Sequence, residues 1–431
     1  MKNYANSEKL LRRELKVSPL AAQTYSKSYR YFCEGEAPVY IKSGNGSHLI
    51  DVDDNEFIDF ICALGPVTVG YNDQSINEAV IKQVNRGASF SLQCENEVLL
   101  AEKLCNILPC AEMVRFVKNG SDATTAAIRL ARAYTNKDMI LMCGYHGMHD
   151  WSIGASENRR GVPNAVCELT KTFEYNNIDD LLDKLEKYKN RIAAIILEPI
   201  QGNGPNDGYL QKIREVATEY GVILIFDEVV SGFRYALGGA SELYSVVPDL
   251  VAVGKGMANG YAISAIAGKK ALLSLIEDGV FVSTTFGGDA ISIAAALATI
   301  SILEKPGFYE RIWALGKMLR DGVDDLINKH KLGEILSVSG LPPHCGINFE
   351  GYGDLSYLDI QSVYSQAMID RGILVFAICN LCGSHNEEDI REYLYATDYA
   401  FAQVRKALEQ NSVEEILRGG KVNPVFKRNI K

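Results

Sequence analysis

Reactive side chains recur in this sequence directly after short apolar runs. Residues 222–226 lead into Asp227-Glu228-Val229, and residues 250–253 lead into Gly254-Lys255-Gly256. Ligands of parallel α/β sheets sit beyond the carboxyl ends of the strands, so these two ends are expected to face one cleft. The glycines around Lys255 leave room for a bulky group against the backbone. A lysine partly removed from water gives up its proton more readily and becomes an amine nucleophile toward a carbonyl. A carboxylate such as Asp227, set beside a pyridine nitrogen, would keep that nitrogen protonated and make the ring a better electron sink.

Other run ends supply what such a ring would need. Residues 113–117 end in Lys118-Asn-Gly-Ser-Asp-Ala123 and pass straight into a helix. Small and hydroxylic residues at a helix start offer free N–H groups and the positive end of the helix dipole to a phosphate. The spacing does not fit a P-loop, and no G-x-G-x-x-G follows a strand. Residues 139–143 end in Gly144-Tyr145-His146-Gly147, where an aromatic could stack on a flat ring. Residues 193–197 end in the polar loop from Glu198 to Asn203. Ser283-Thr-Thr285-Phe-Gly-Gly288, before a helix at 290–303, is a second phosphate candidate. Each of these has an ordinary explanation alone: a helix cap for Ser121, a solvated charge for Lys255, a core ring for Tyr145, a hydrogen-bonded structural residue for His146. Their common placement at strand ends has none.

These groups need a scaffold, and the pattern supplies one. Strands are expected at 113–117, 139–143, 193–198, 222–227, 250–253 and 262–267, with helices at 121–134, 209–220 and 290–303. Continuous apolar strands between amphipathic helices predict a mostly parallel sheet covered on both faces. In the 121–134 helix, Ala123, Ala126, Ala127, Leu130, Ala131 and Tyr134 fall on one face. Before this region come a polar helix at 7–15, short strands at 38–42, 48–52 and 56–60, and a hairpin turn at 51–55. After it come strands at 335–338, 346–349 and 373–376 and a long helix at 389–408. The chain therefore reads as an α/β protein. Residues 1–85 are an N-terminal segment of a small domain, 86–315 a large domain with a mostly parallel sheet, and 316–431 the C-terminal α+β part of the small domain.

Composition narrows the partners. The chain carries a net charge of −10 and is 47% hydrophobic. An acidic protein is a poor match for nucleic acid or an anionic membrane surface. No run of about 18 apolar residues marks a membrane span, and no apolar stretch near the N-terminus resembles a signal peptide. A cytoplasmic location and reduced, mostly buried thiols are expected for the ten cysteines. Cys379-Asn-Leu-Cys382 is a lone C-x-x-C without a second ligand pair, so no metal site is expected.

The segments 114–124, Tyr145-His-Gly, Glu198-Pro, 226–234, Gly254-Lys-Gly and Thr285-Phe-Gly-Gly resemble the class III pyridoxal-phosphate (PLP)-dependent aminotransferases, most nearly the glutamate-1-semialdehyde 2,1-aminomutase branch. The likeness runs from about residue 38 to about residue 407. It implies an aspartate aminotransferase-like PLP-dependent transferase of fold type I, acting as a homodimer. It implies further that Lys255 carries the cofactor as a Schiff base and shuttles a proton. Asp227 pairs with the pyridinium nitrogen, Val229 packs under the ring and Tyr145 stacks over it. Gly120 and Ser121 hold the phosphate, with Thr285 contributed across the dimer interface. Asn203 lies near the ring hydroxyl, Glu198 supports it, and His146 is adjacent. Arg30 matches a family arginine that receives the substrate carboxylate. The chain departs from the family at 258–262, at Asp289-Ala290, in a shortened segment at 154–163, and at 376–385, where no acidic residue stands. The cofactor machinery is complete while the substrate-reading parts differ. The leading expectation is an aminotransferase moving an amino group from an amino-acid donor to an aldehyde or keto acceptor. The alternatives are an aminomutase, another reaction on the same cofactor, and a non-catalytic PLP-fold binding protein.

Overall fold

The computed structural model describes residues 2–424. The chain forms two compact units. One gathers residues 2–65, 69–73 and 310–424, and the other residues 66–68 and 74–309. Helix Gln74–Val84, which carried no expectation, packs on helix Ala290–Leu303 and so belongs with the large sheet.

The larger unit is built on seven strands in the order Met113–Val117, Ser264–Gly268, Leu250–Val253, Ile223–Glu228, Ile192–Leu197, Met139–Cys143, Thr170–Thr172. Ser264–Gly268 runs antiparallel to both its neighbours, and the remaining pairs are parallel. The central strands are apolar along nearly their whole length because both faces are covered. Ile192–Leu197, Ile223–Glu228 and Leu250–Val253 are buried throughout. Each large aliphatic side chain so buried contributes about 1.5–3 kcal/mol. Ile223–Glu228 reaches one residue past the expected end at 227, so Glu228 as well as Asp227 lies within the strand. The three-residue edge strand Thr170–Thr172 left no apolar pattern to read.

Helix Gly120–Thr135 lies against this sheet through small residues. Ala123, Ala127, Leu130 and Ala131 are fully buried, joined by Thr124 and Ile128. Tyr134, expected on the same face, is 53% exposed. The buried stripe ends at Ala131, and the last turn carries the tyrosine into solvent.

The smaller unit has a four-stranded sheet, Ile41–Asn45, His48–Asp51, Glu56–Asp59 and Ile373–Leu374, and a three-stranded sheet, Leu336–Leu341, His344–Phe349 and Ile378–Asn380. The first strand falls three residues later than expected, at Ile41–Asn45. The Asp51 carboxylate accepts the N–H groups of Asp53 and Asn55 and closes the hairpin turn. The long helix runs Glu387–Gln410, started by a capping box in which Asn386 accepts from Asp389 N. All ten cysteines are free thiols, and eight are buried. No single described helix is long and apolar enough to cross a membrane.

Candidate active site

At the carboxyl edge of the larger unit's sheet, close contacts link Asp227, His146, Val229 and the turns at Gly120 and Gly254. The fixed point is Asp227, 5% exposed, whose Oδ2 lies 2.7 Å from Nδ1 of fully buried His146. The other oxygen accepts the Val229 N–H at 3.1 Å. His146 is itself held. Its Nε2 faces the Cys143 carbonyl at 3.2 Å, its ring stacks with Trp151, and its carbonyl accepts the Thr124 hydroxyl at 2.8 Å. A carboxylate bound on both oxygens inside a dry strand end has one orientation.

Val229 joins this carboxylate to the two turns named by the sequence. A Cβ placed on Gly120 would lie 2.8 Å from Val229 Cγ1, and one on Gly254 would lie 3.7 Å from the same atom and 2.4 Å from Ser264 Oγ. The phosphate-candidate turn and the lysine turn therefore both abut one valine, and side chains at 120 or 254 would close the gap. Lys255 opens the short 3-10 turn Lys255–Ala258 with φ of +30°, a conformation costly for any residue but glycine. Such strain of about 1–3 kcal/mol persists where surroundings impose it. Here Thr68 Oγ1 donates to the Gly256 carbonyl at 2.9 Å and fixes the turn.

At the helix start, Asn119 accepts from Asp122 N while the Asp122 carboxylate receives Asn119 N, both at 3.1 Å. This box sets the first turn and leaves the Gly120 and Ser121 amides at the open end of a 16-residue helix. Ser121 Oγ accepts the Met148 N–H at 3.2 Å, which ties the Tyr145–Met148 loop to the same point. Tyr145 is 39% exposed, and its N–H donates to Glu198 Oε1 at 3.1 Å. Asn203 is exposed in the loop beyond Glu198. Thr285 lies in an exposed loop, 283–286. Arg30 belongs to the smaller unit. Its exposed guanidinium lies over the Tyr29 ring at 5.8 Å, and its carbonyl accepts Asn423 N–H at 2.8 Å.

Two supports escaped the sequence. Glu228, fully buried beside Asp227, accepts the N–H groups of Ala240 and Ser241 and the hydroxyls of Ser231 and Ser241. Burial pushes its carboxyl above the usual range, while these donors pull it back. Lys118 Nζ reaches Asp289 at 2.5 Å and Ser292 Oγ at 3.2 Å, pinning the start of helix Ala290–Leu303 to the end of strand Met113–Val117. Asp289 is the departure from family pattern noted in the sequence, and its lysine partner lies 171 residues away.

A twisted, mostly parallel sheet with an aspartate, a lysine turn and a helix N-terminus at one edge defines a fold type I PLP-dependent transferase. Residues 31–385 match the family described as aminotransferase class-III, and the chain belongs to that family. It is 40% identical over 386 residues to a 3-aminobutyryl-CoA aminotransferase of Cloacimonas acidaminovorans, covering 88% of this chain and 92% of the relative. It is 34% identical to a glutamate-1-semialdehyde 2,1-aminomutase of Francisella philomiragia, covering 93% and 99%. Among solved structures, the FumI protein of Sphingopyxis sp. MTA144, solved with PLP, matches with a TM-score of 0.86 at 29% identity over 94% of this chain and 97% of that one. An omega-transaminase from Sphaerobacter thermophilus matches at 0.83 and 26% identity, over 93% and 98%. The protein is a PLP-dependent aminotransferase of class III.

Proposed function

We propose that Lys255 is the Schiff-base lysine of this aminotransferase, with Asp227 as partner of the ring nitrogen and the Gly120-Ser121 turn as phosphate seat. The observation that carries this reading is Val229, which adjoins the Gly120 and Gly254 turns and donates its N–H to Asp227. These residues fit the cofactor: a carboxylate for a ring nitrogen, open amides for a phosphate, an amine for an aldehyde, and two glycines where a side chain would collide. When bound, PLP supplies an electron sink that lets an amine's carbon-bound proton leave. The Lys255 ε-amine takes that proton and returns it at the neighbouring carbon. His146 fixes the Asp227 carboxylate, Tyr145 covers the ring, Glu198 holds the Tyr145 backbone, and Asn203 serves the ring hydroxyl. Arg30 receives a substrate carboxylate.

The active protein is a cytoplasmic homodimer in this reading, with Thr285 completing the partner's phosphate seat. Its support is an exposed apolar set on the larger unit: Leu92 79%, Phe281 73%, Met148 73% and Phe286 58% exposed. Exposed large apolar side chains such as these are what a partner subunit would cover.

The 3-aminobutyryl-CoA aminotransferase relative makes an amine on the β-carbon of an acyl chain the first donor to test. The aminomutase relatives support the second reading, an internal amino transfer within one amino-aldehyde. One screen separates them. PLP-loaded protein is given single amines, and loss of the visible cofactor band is followed. A transferase bleaches with a donor and recovers with a separate carbonyl acceptor. An aminomutase forms product from the amino-aldehyde with neither.

A further inference from the structure

We propose that Cys62, Cys382 and His385 form a structural zinc site inside the smaller unit. All three are buried, with exposures of 1%, 1% and 0%. Their donor atoms lie within 4.8 Å of one another, a spread that one ion can span.

The local geometry prepares the histidine. Cys382 N–H donates to His385 Nδ1 at 3.0 Å, and Cys382 Sγ lies 3.2 Å from the same nitrogen. An amide donor at Nδ1 requires a lone pair there, so the ring is neutral with its proton on Nε2. That is the form a metal needs, and its lone pair faces a sulfur. Nε2 is buried without a hydrogen-bond partner among the described residues. In this tautomer Nδ1 is the ring's one metal donor, and an ion there takes the place of the Cys382 N–H. Cys62 Sγ, on the turn Cys62–Leu64, is the third donor of the set. The thiolate is the ligand form.

Charge and coordination number select the ion. Two thiolates and a neutral imidazole cancel the charge of Zn²⁺, whereas Cu⁺ would leave a net negative charge in a dry site. A closed zinc site takes four ligands. Cys62 Sγ donates to the Asn380 carbonyl at 3.2 Å and gives up that proton on binding the ion, whose fourth position is left to a small ligand such as water. The bound ion would clamp the turn Cys62–Leu64, whose residues have φ of 49°, 54° and 73°, to the segment leading into helix Glu387–Gln410. The C-x-x-C visible in the sequence is not the ligand pair. Cys379 Sγ donates to Tyr393 OH at 3.3 Å instead, and the partner of Cys382 comes from the far end of the chain.

The test uses PLP-loaded protein, treated with a chelator and then dialysed against Zn²⁺. Wild-type protein should retain one zinc per chain, Cys382→Ser and His385→Gln should lose it, and Cys105→Ser should keep it. Zinc-edge absorption should show two sulfurs at about 2.3 Å and a nitrogen at about 2.0 Å. If the variants do not fold, the wild-type stoichiometry and absorption shell decide alone. Failure of the wild type to hold stoichiometric zinc, retention in Cys382→Ser, or a shell without sulfur would overturn the proposal.

Discussion

Gly120→Ala tests how the phosphate turn and the ring floor are joined. The new methyl carbon would lie 2.8 Å and 3.0 Å from the two Val229 methyls. Ordinary carbon contacts are about 3.5–4.0 Å, so roughly 0.5–1 Å must be absorbed. The backbone at 120 is fixed by the Asn119–Asp122 box, and Val229 N–H is committed to Asp227. The valine side chain must therefore move, and it moves where the cofactor ring would rest. Overpacking of this size costs about 1–3 kcal/mol. At 1.4 kcal/mol per decade, that weakens PLP binding about 5- to 150-fold. The assay is PLP equilibrium dialysis of wild type, Gly120→Ala, Val229→Ala and the double variant. In the Val229→Ala background the Gly120→Ala effect should shrink below about 2-fold, because the colliding methyls are gone. An unchanged PLP affinity in Gly120→Ala, or a penalty that persists without Val229, would refute the placement of the ring between these residues.

Asp227→Asn should weaken PLP binding and lower kcat at least 10-fold, since a charge-assisted hydrogen bond is worth about 1.5–3 kcal/mol; steady-state rates at saturating PLP check this. Asp249, 4% exposed, anchors the strand leading to Lys255. Burial acts to raise its carboxyl, but Lys269, the Leu224 N–H and Arg214 outweigh that and hold it below the usual range. A depressed carboxylate stabilises the fold above its ordinary pKa and loses that contribution as pH falls through the folded value. Urea midpoints of the wild type should therefore drop as pH falls below about 4, and Asp249→Asn should flatten that slope and cost about 1.5–3 kcal/mol at neutral pH. Leu92→Asp combined with Phe286→Asp should convert a dimer to monomers in sedimentation and weaken PLP binding; a monomeric wild type would remove the cross-subunit role of Thr285.

The strand-end logic carried far because it depends on local pattern. The apolar runs ending at Val117, Cys143, Leu197, Phe226 and Val253 became strands of one sheet. Less legible were contacts that need the third dimension. Nothing about His146 in the sequence says that it grips Asp227, because 81 residues separate them. Glu228 alternates away from Asp227 along the strand and serves a different helix start, so its burial on four donors had no local signal. The Lys118–Asp289 bridge was visible only as a departure from family pattern. Helix Gln74–Val84 joins the larger unit through packing on Ala290–Leu303, a contact with no signal in sequence adjacency. Tyr134 shows the same limit in miniature: spacing put it on the apolar face, but the sheet contact ended one turn earlier.

The central claim is that the amine at position 255 holds the cofactor. Borohydride reduction of the PLP-loaded protein, followed by digestion and mass analysis, reads this directly. The label should appear on the peptide carrying Gly254-Lys255-Gly256 and vanish, with all turnover, in Lys255→Ala. Label on another lysine, or turnover retained by Lys255→Ala, would contradict it.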